Sequence, residues 1–317
     1  MKALVTGGHG FVGGEIVRQL RAAGHEATPV SRQSGVDITE ASGLAAAMQG
    51  HDTVFHVAAL AGVWGRREHF ERTNVTGTEV VIAACRSTGV QRLIFTSSPS
   101  VTFDGTDHVH AANDLPYPTT WLADYPRTKA LAEQAVLAAN GPSLATVALR
   151  PHLVYGPGDP HLLPRLLARA RAGRLRIVGE GHNEVSLTFI ANAAAAHLGA
   201  ALALEPGAAC AGRAYFVNDA SPVRVWDWLN VLFTRLGVDP VRRRVPASVA
   251  YAGGAVLEAA WALLGLAGEP PMTRFVARQL STTHTYDLGP AQRDLNWAPH
   301  VGHDEAMERT VASLRAT

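Results

Sequence analysis

Through the first half of this 317-residue chain, short runs of apolar and β-branched residues alternate with stretches whose apolar positions recur at helical spacing. The runs fall at 2–6, 26–30, 52–57, 92–96 and 144–149, and the helical stretches at 11–23, 41–49, 71–88 and 125–139. Strands separated by helices predict a parallel sheet, because a parallel neighbour is reached only by a long crossover. After Arg150-Pro151 the rhythm changes. Residues 157–183 hold Gly, Pro and a basic helix-like segment, 161–173, and then a strand is expected near 213–217 and a helix near 224–236. An apolar stretch runs from 245 to 268. The expected architecture is α/β: a doubly wound parallel sheet in 1–155 and a smaller C-terminal lobe made mainly by 156–317, some of whose segments return to the first part.

Composition narrows the classes of function. Hydrophobic residues make up 47% and charged residues 17%, which suits a well-buried globular protein. The 28 Lys and Arg nearly balance 27 Asp and Glu, and the longest basic run is Arg242-Arg243-Arg244, so there is no footprint for nucleic acid. Cys85 and Cys210 stand far apart without a metal-ligand or disulfide pattern, so a reducing, cytoplasmic setting is expected. The 14 histidines include no H-x-x-x-H or H-E-x-x-H pair, and no metal is expected.

The first candidate for chemistry is the turn Thr6-Gly7-Gly8-His9-Gly10-Phe11-Val12-Gly13, between the first strand and the first helix. Its G-x-x-G-x-x-G spacing supplies glycine where the chain turns tightly, where backbone approaches a pyrophosphate, and where helix packs on strand. The helix start then offers free N–H groups to the phosphates. After the second strand the chain reads Val30-Ser31-Arg32, with no acid before Asp37. An acid there would bind a ribose 2′-hydroxyl, whereas Ser31 and Arg32 suit a 2′-phosphate, so NADP(H) is favoured over NAD(H).

Tyr125-Pro126-Arg127-Thr128-Lys129 places a phenol and an ammonium one helical turn apart. The ammonium is expected to lower the phenol's pKa, fitting it for proton transfer to or from an alcohol. Upstream, the strand ending at Thr96 runs into Ser97-Ser98-Pro99-Ser100. Hydroxyls beyond the carboxyl end of a parallel strand lie where such sheets bind ligands, and Ser98 is the candidate that holds the substrate oxygen.

Together these segments resemble the extended short-chain dehydrogenase/reductases over essentially the whole chain, and within them the 3β-hydroxysteroid dehydrogenase-like branch. TGGHGFVG, Asp37-Ile38, His56-Val57-Ala58-Ala59, Asn74-Val75-Thr76-Gly77-Thr78, TSSPSV, YPRTK and Arg150-Pro151 through Gly158 carry the wider likeness. Ala61-Gly62-Val63-Trp64-Gly65, the segment from His161, and Gly268 through Phe275 carry the narrower one. The resemblance implies a Rossmann-like fold and a hydride-transfer site with Ser98, Tyr125 and Lys129 as catalytic residues. It implies that Asp37 and Ile38 flank the adenine, that Ala58, Ala59 and Thr96 line the cofactor channel, and that Pro151, Leu153 and Val154 contact the nicotinamide side. Trp64, Pro99 and His161 are the candidate substrate residues. The implied substrate is a lipophilic ketone or alcohol, such as a 2-alkyl-3-oxoalkanoate or a 3β-hydroxysteroid.

The apolar stretch 245–268 contains one charge, Glu258. It is expected to be a helix or helix pair covering an apolar pocket, with attachment to a membrane surface as the next reading. A homodimer is expected. Two rival functions remain: a nucleotide-sugar epimerase or dehydratase, which needs a pocket for a diphosphate and a sugar, and a non-catalytic NADP(H) sensor, which has no need of all three catalytic side chains.

Overall fold

The computed structural model describes residues 1–316. Six parallel strands form its central sheet: β1 (Lys2–Thr6), β2 (Glu26–Val30), β3 (Thr53–His56), β4 (Arg92–Thr96), β5 (Ala145–Pro151) and β6 (Arg213–Val217), in spatial order β6-β5-β4-β3-β1-β2. The strand order reverses between β1 and β3, which leaves a crevice at their carboxyl ends. Helix α1 (Phe11–Ala22) and, much later, Ile190–Ala203 cover one face with Ile16, Leu20, Ala194 and Ala200. Ala41–Met48, Gly77–Thr88 and Asp124–Ala138 cover the other with Leu44, Val81, Cys85 and Val136. Runs buried on both faces must read as nearly continuous apolar sequence, and Leu93-Ile94-Phe95 does so.

The chain beyond 155 is not a detached lobe. It supplies edge strand β6, whose Arg213 aligns with Val147, and one of the sheet's covering helices. A separate core around Tyr155, Phe189, Trp226 and Phe233 holds the rest.

Two expectations change in detail. The helix expected over 71–88 is interrupted: one turn, Arg67–Phe70, leads into a wide π turn, Glu71–Thr76, before Gly77–Thr88. Asn74 in that turn reaches out to Leu60 N, Leu60 O and Thr128 Oγ1, anchoring the chain that follows β3. The apolar stretch forms a single helix, Ala247–Leu264, which adds Glu258, Trp261 and Ala262 to the lining of a cleft but leaves most of its length exposed. Only Ala250, Gly254 and Glu258 along one stripe are buried, and a Cβ on Gly254 would lie 2.7 Å from the Thr273 backbone. Leu263 and Leu264 are 86% and 70% exposed, so they face outward and not into a pocket. Hydropathy set the helix's length but not its direction.

Histidines close several strand ends from within. His56 shares hydrogen bonds with Thr6 Oγ1 (2.8 Å) and Thr78 Oγ1 (2.9 Å), and His197 with Thr96 Oγ1 (2.8 Å) and the Ala193 carbonyl (2.8 Å). Burial depresses His56 to about 3, and His152 and His197 to about 4. Each is neutral when folded and titrates near 6.5 when unfolded, so its stability is intact above that value and is lost as pH falls below it. At pH 5 each should cost about 2 kcal/mol. Urea unfolding at pH 7.5 and pH 5 should show a loss of several kcal/mol that His197→Gln reduces. Equal stability at the two pH values would contradict this account.

Candidate active site

The glycine turn is shaped by close approach. Gly7 has φ +67 and lies against Ala58, and a Cβ on Gly13 would sit 2.3 Å from the Gly7 carbonyl oxygen. Gly10 caps α1 without a side-chain hydrogen bond, and the first turn carries no acid. The amides of Phe11, Val12 and Gly13 are therefore available to an anion, as the first amides of a helix have no partner inside it. A dinucleotide's pyrophosphate fits this cradle, and any larger side chain at Gly13 would collide with the backbone of Gly7 and Gly8 and force the turn off the helix.

At the outer end of the crevice, Ser31 follows β2 and caps the short turn Arg32–Ser34, accepting the Gln33 N–H at 3.2 Å. Arg32 is exposed. Asp37 accepts the N–H and hydroxyl of Thr39, both at 2.9 Å, and the Thr39 amide holds its carboxyl below the usual range, with smaller help from Arg32 and Arg72. One oxygen of its carboxylate, Oδ1, is thus engaged within its own loop. Ile38 is buried, and a Cβ on Gly77 would press on it at 2.8 Å.

The inner end gathers residues from three strands. Val57 and Ala58, leaving β3, donate their N–H groups to Thr6 Oγ1 at 3.2 Å, and Ala59 follows. Beyond β4, Ser98 caps the turn Pro99–Thr102 and accepts both the N–H (3.2 Å) and the hydroxyl (2.9 Å) of Ser100. At the end of β5, Pro151 is buried, and beyond it Leu153 holds a left-handed φ of 44 before Val154 pairs with Thr188. Such a conformation is strained for leucine and persists only where its surroundings impose it.

Tyr125 opens the helix Asp124–Ala138, and Ser98 hydrogen-bonds its phenol. One turn on, Lys129 donates to the Thr96 carbonyl at 2.7 Å and lies 4.0 Å above the Phe95 ring. Burial pushes Lys129 down to about 7, against the opposing pull of Glu133. Burial also raises the Tyr125 phenol, and the Ser98 bond opposes it. The expected lowering of the phenol by Lys129 is therefore not what the structure gives: burial outweighs it, and the ammonium is directed to Thr96. Sequence reasoning missed Glu133. It is wholly buried, accepts Arg150 Nε (3.0 Å) and Nη2 (2.6 Å), and takes the Tyr117 hydroxyl at 2.7 Å. Its position one turn beyond Lys129 was the only local signal.

A cleft of ≈ 550 Å³ borders the segment Leu122–Asp124 that leads into Tyr125. Trp64, Phe70, Trp261 and Leu266 make its apolar wall, with Arg66 and Arg274 among its charged groups. Trp64 lies in this cleft; Pro99 is buried in its turn and His161 is exposed before the helix Leu162–Arg171, so neither lines it.

Residues 4–246 match the 3-beta hydroxysteroid dehydrogenase/isomerase family. The chain is 47% identical to a 2-alkyl-3-oxoalkanoate reductase of Stenotrophomonas maltophilia, over 100% of both chains. It is 35% identical to the mouse (Mus musculus) sterol-4-alpha-carboxylate 3-dehydrogenase, decarboxylating, covering 99% of this chain and 91% of that one. Among solved structures, MoeE5 in complex with UDP-glucuronic acid and NAD superposes with a TM-score of 0.75 at 26% identity, covering 100% of this chain and 99% of that one. A glycine turn built for a pyrophosphate, a serine–tyrosine pair with a lysine one turn on, and these full-length likenesses agree: the chain belongs to the 3-beta hydroxysteroid dehydrogenase/isomerase family, within the extended short-chain dehydrogenase/reductases.

Proposed function

We propose that this protein uses NADP(H) to reduce a ketone on a lipophilic substrate to a secondary alcohol, or to run the reverse reaction. The meeting of Ser98, Tyr125 and Lys129 at the carboxyl ends of the strands, beside the glycine turn and an aromatic-walled cleft, carries this reading. When bound, the nicotinamide supplies or takes the hydride. The chain's own groups do the rest. Both acceptor sites of Ser98 Oγ are occupied by Ser100, so its hydrogen is directed to the Tyr125 phenol, where a substrate oxygen that enters between them can take it over. Tyr125, kept protonated by burial, is suited to give its proton to the alkoxide that forms, a far stronger base than the phenolate. Thr96 takes one N–H of Lys129, leaving two for the ribose and the phenol. Ser31, the exposed Arg32 and the engagement of Asp37 Oδ1 by Thr39 support NADP(H).

Tyr125→Phe should leave cofactor affinity near that of the wild type while turnover falls about a hundredfold or more. Lys129→Ala should weaken both. Stopped-flow NADPH oxidation beside fluorescence titration of the cofactor separates the two effects, and retention of most turnover by Tyr125→Phe would call for another acid.

The cleft's apolar wall and the relatives' names favour a long-chain 3-oxoalkanoate or a sterol-like ketone over a nucleotide-sugar. Each buried methylene adds about 0.8 kcal/mol, so four further carbons should raise kcat/KM by up to roughly two hundredfold. A chain-length series of 3-keto acids, with UDP-sugars as competitors, tests this. A flat series with micromolar UDP inhibition would favour the epimerase or dehydratase reading.

The outward face of the helix Ala247–Leu264 supports a further reading, contact with a lipid surface. The helix is long and apolar enough to cross a membrane, its one charge is buried, and the exposed Arg242-Arg243-Arg244 precedes it. Leu263→Ser with Leu264→Ser should cut co-flotation with anionic phospholipid vesicles several-fold. No flotation by the wild type, with a dimer that these variants dissociate, would assign the face to a second copy of the chain.

A further inference from the structure

His9 is the one ring-bearing polar side chain within the glycine turn before its helix, and neither strand periodicity nor the Ser–Tyr–Lys chemistry uses it. The turn leans on the end of β2. Gly8 donates its N–H to the Val30 carbonyl at 3.2 Å, and a Cβ at Gly8 would lie 2.7 Å from Pro29. That approach sets His9 beside Ser31, with its Nδ1 2.9 Å from Ser31 Oγ. Both residues adjoin the exposed Arg32, at the place where a dinucleotide-binding sheet meets the adenosine ribose.

The hydrogen-bond accounting leaves a donor over. Ser31 Oγ already accepts from the Gln33 amide at 3.2 Å. If its hydroxyl donates to Nδ1, the imidazole carries its proton on Nε2, which has no partner among the described residues. If Nδ1 donates instead, the Ser31 hydroxyl hydrogen is the one left over. Either way a donor faces outward next to a guanidinium. Asp37, the first acid after β2, is engaged through Oδ1 by Thr39.

We propose that His9 acts with Ser31 and Arg32 as a third donor to the 2′-phosphate of NADP(H), so that the glycine turn itself takes part in choosing the cofactor. The proposal rests on the NADP(H) reading above and adds to it a specificity residue on a different segment of the chain. His9 reaches the phosphate from the β1–α1 side, while Ser31 and Arg32 reach it from the end of β2. A phosphate gripped from two segments is discriminated by geometry as well as by charge.

The test uses binding and not turnover. Calorimetric titration of the full-length protein with 2′,5′-ADP and with 5′-AMP compares ligands that differ by the 2′-phosphate alone. The wild type should prefer 2′,5′-ADP. His9→Ala should weaken 2′,5′-ADP by roughly three- to tenfold and leave 5′-AMP unchanged, with His9→Gln falling between. Arg32→Ala should weaken 2′,5′-ADP by roughly ten- to a hundredfold. Loss for Arg32→Ala with none for His9→Ala would overturn the role of His9 and leave the NADP(H) reading standing. Equal loss of both ligands in His9→Ala would make His9 a structural part of the turn and would also overturn the proposal. A wild type that binds both ligands equally would remove the NADP(H) reading and this one with it.

Discussion

The geometry at the carboxyl ends of the strands depends on a carboxylate that never meets solvent. Glu133 is fully buried and receives both forks of Arg150, so it ties the helix bearing Tyr125 and Lys129 to strand β5. Arg150 in turn donates to the Asn113 carbonyl, while Asn113 Oδ1 receives the Phe216 N–H. One ion pair thus joins a helix, two strands and the loop before the active-site helix. The small apolar residues of that helix, Ala130 and Ala132, would pack nearly as well if it slid along its axis. A bidentate pair does not tolerate such sliding, because its two bonds fix distance and angle together. Removing one partner would strand the other as an uncompensated buried charge, which typically costs about 3–5 kcal/mol.

Charge at the site is managed by exclusion of water more than by pairing. Lys129 sits over an aromatic face and on a carbonyl, and its field adds to the desolvation that keeps His56 neutral. Neutral His56 can then bridge Thr6 and Thr78, and Thr6 Oγ1 receives the amides that shape the chain after β3. The ammonium, the imidazole and the two threonines form one connected set, although no two of them are adjacent in sequence.

What the sequence disclosed was what it encodes locally. The glycine turn and the Tyr–Lys pair are set by spacings of three and four residues, and all six sheet strands lie within two residues of where their apolar runs predict. Partners that meet through the fold were not legible: Glu133 with Arg150, seventeen positions apart, and Asn74 with Thr128, fifty-four apart. The wide turn at Glu71–Thr76 was hidden for the same reason, since the bonds that stabilise it belong to Leu60 and Thr128. In the helix Ala247–Leu264 apolar character was plain, but a helix nearly apolar all round gives no phase from which to read its buried side.

That helix also divides the molecule in another sense. The family match itself spans residues 4–246, although the relatives align over the whole chain, and the helix begins at the next residue. Every strand of the sheet, the glycine turn and the Ser–Tyr–Lys set lie before that point, whereas Trp261 and Leu266, two walls of the cleft, lie after it. A change at Trp261 or Leu266 alters the width of the cleft without disturbing any hydrogen bond of Ser98, Tyr125 or Lys129. The width of the cleft can therefore be altered from the last part of the chain while the hydrogen bonds of the catalytic set stay in place.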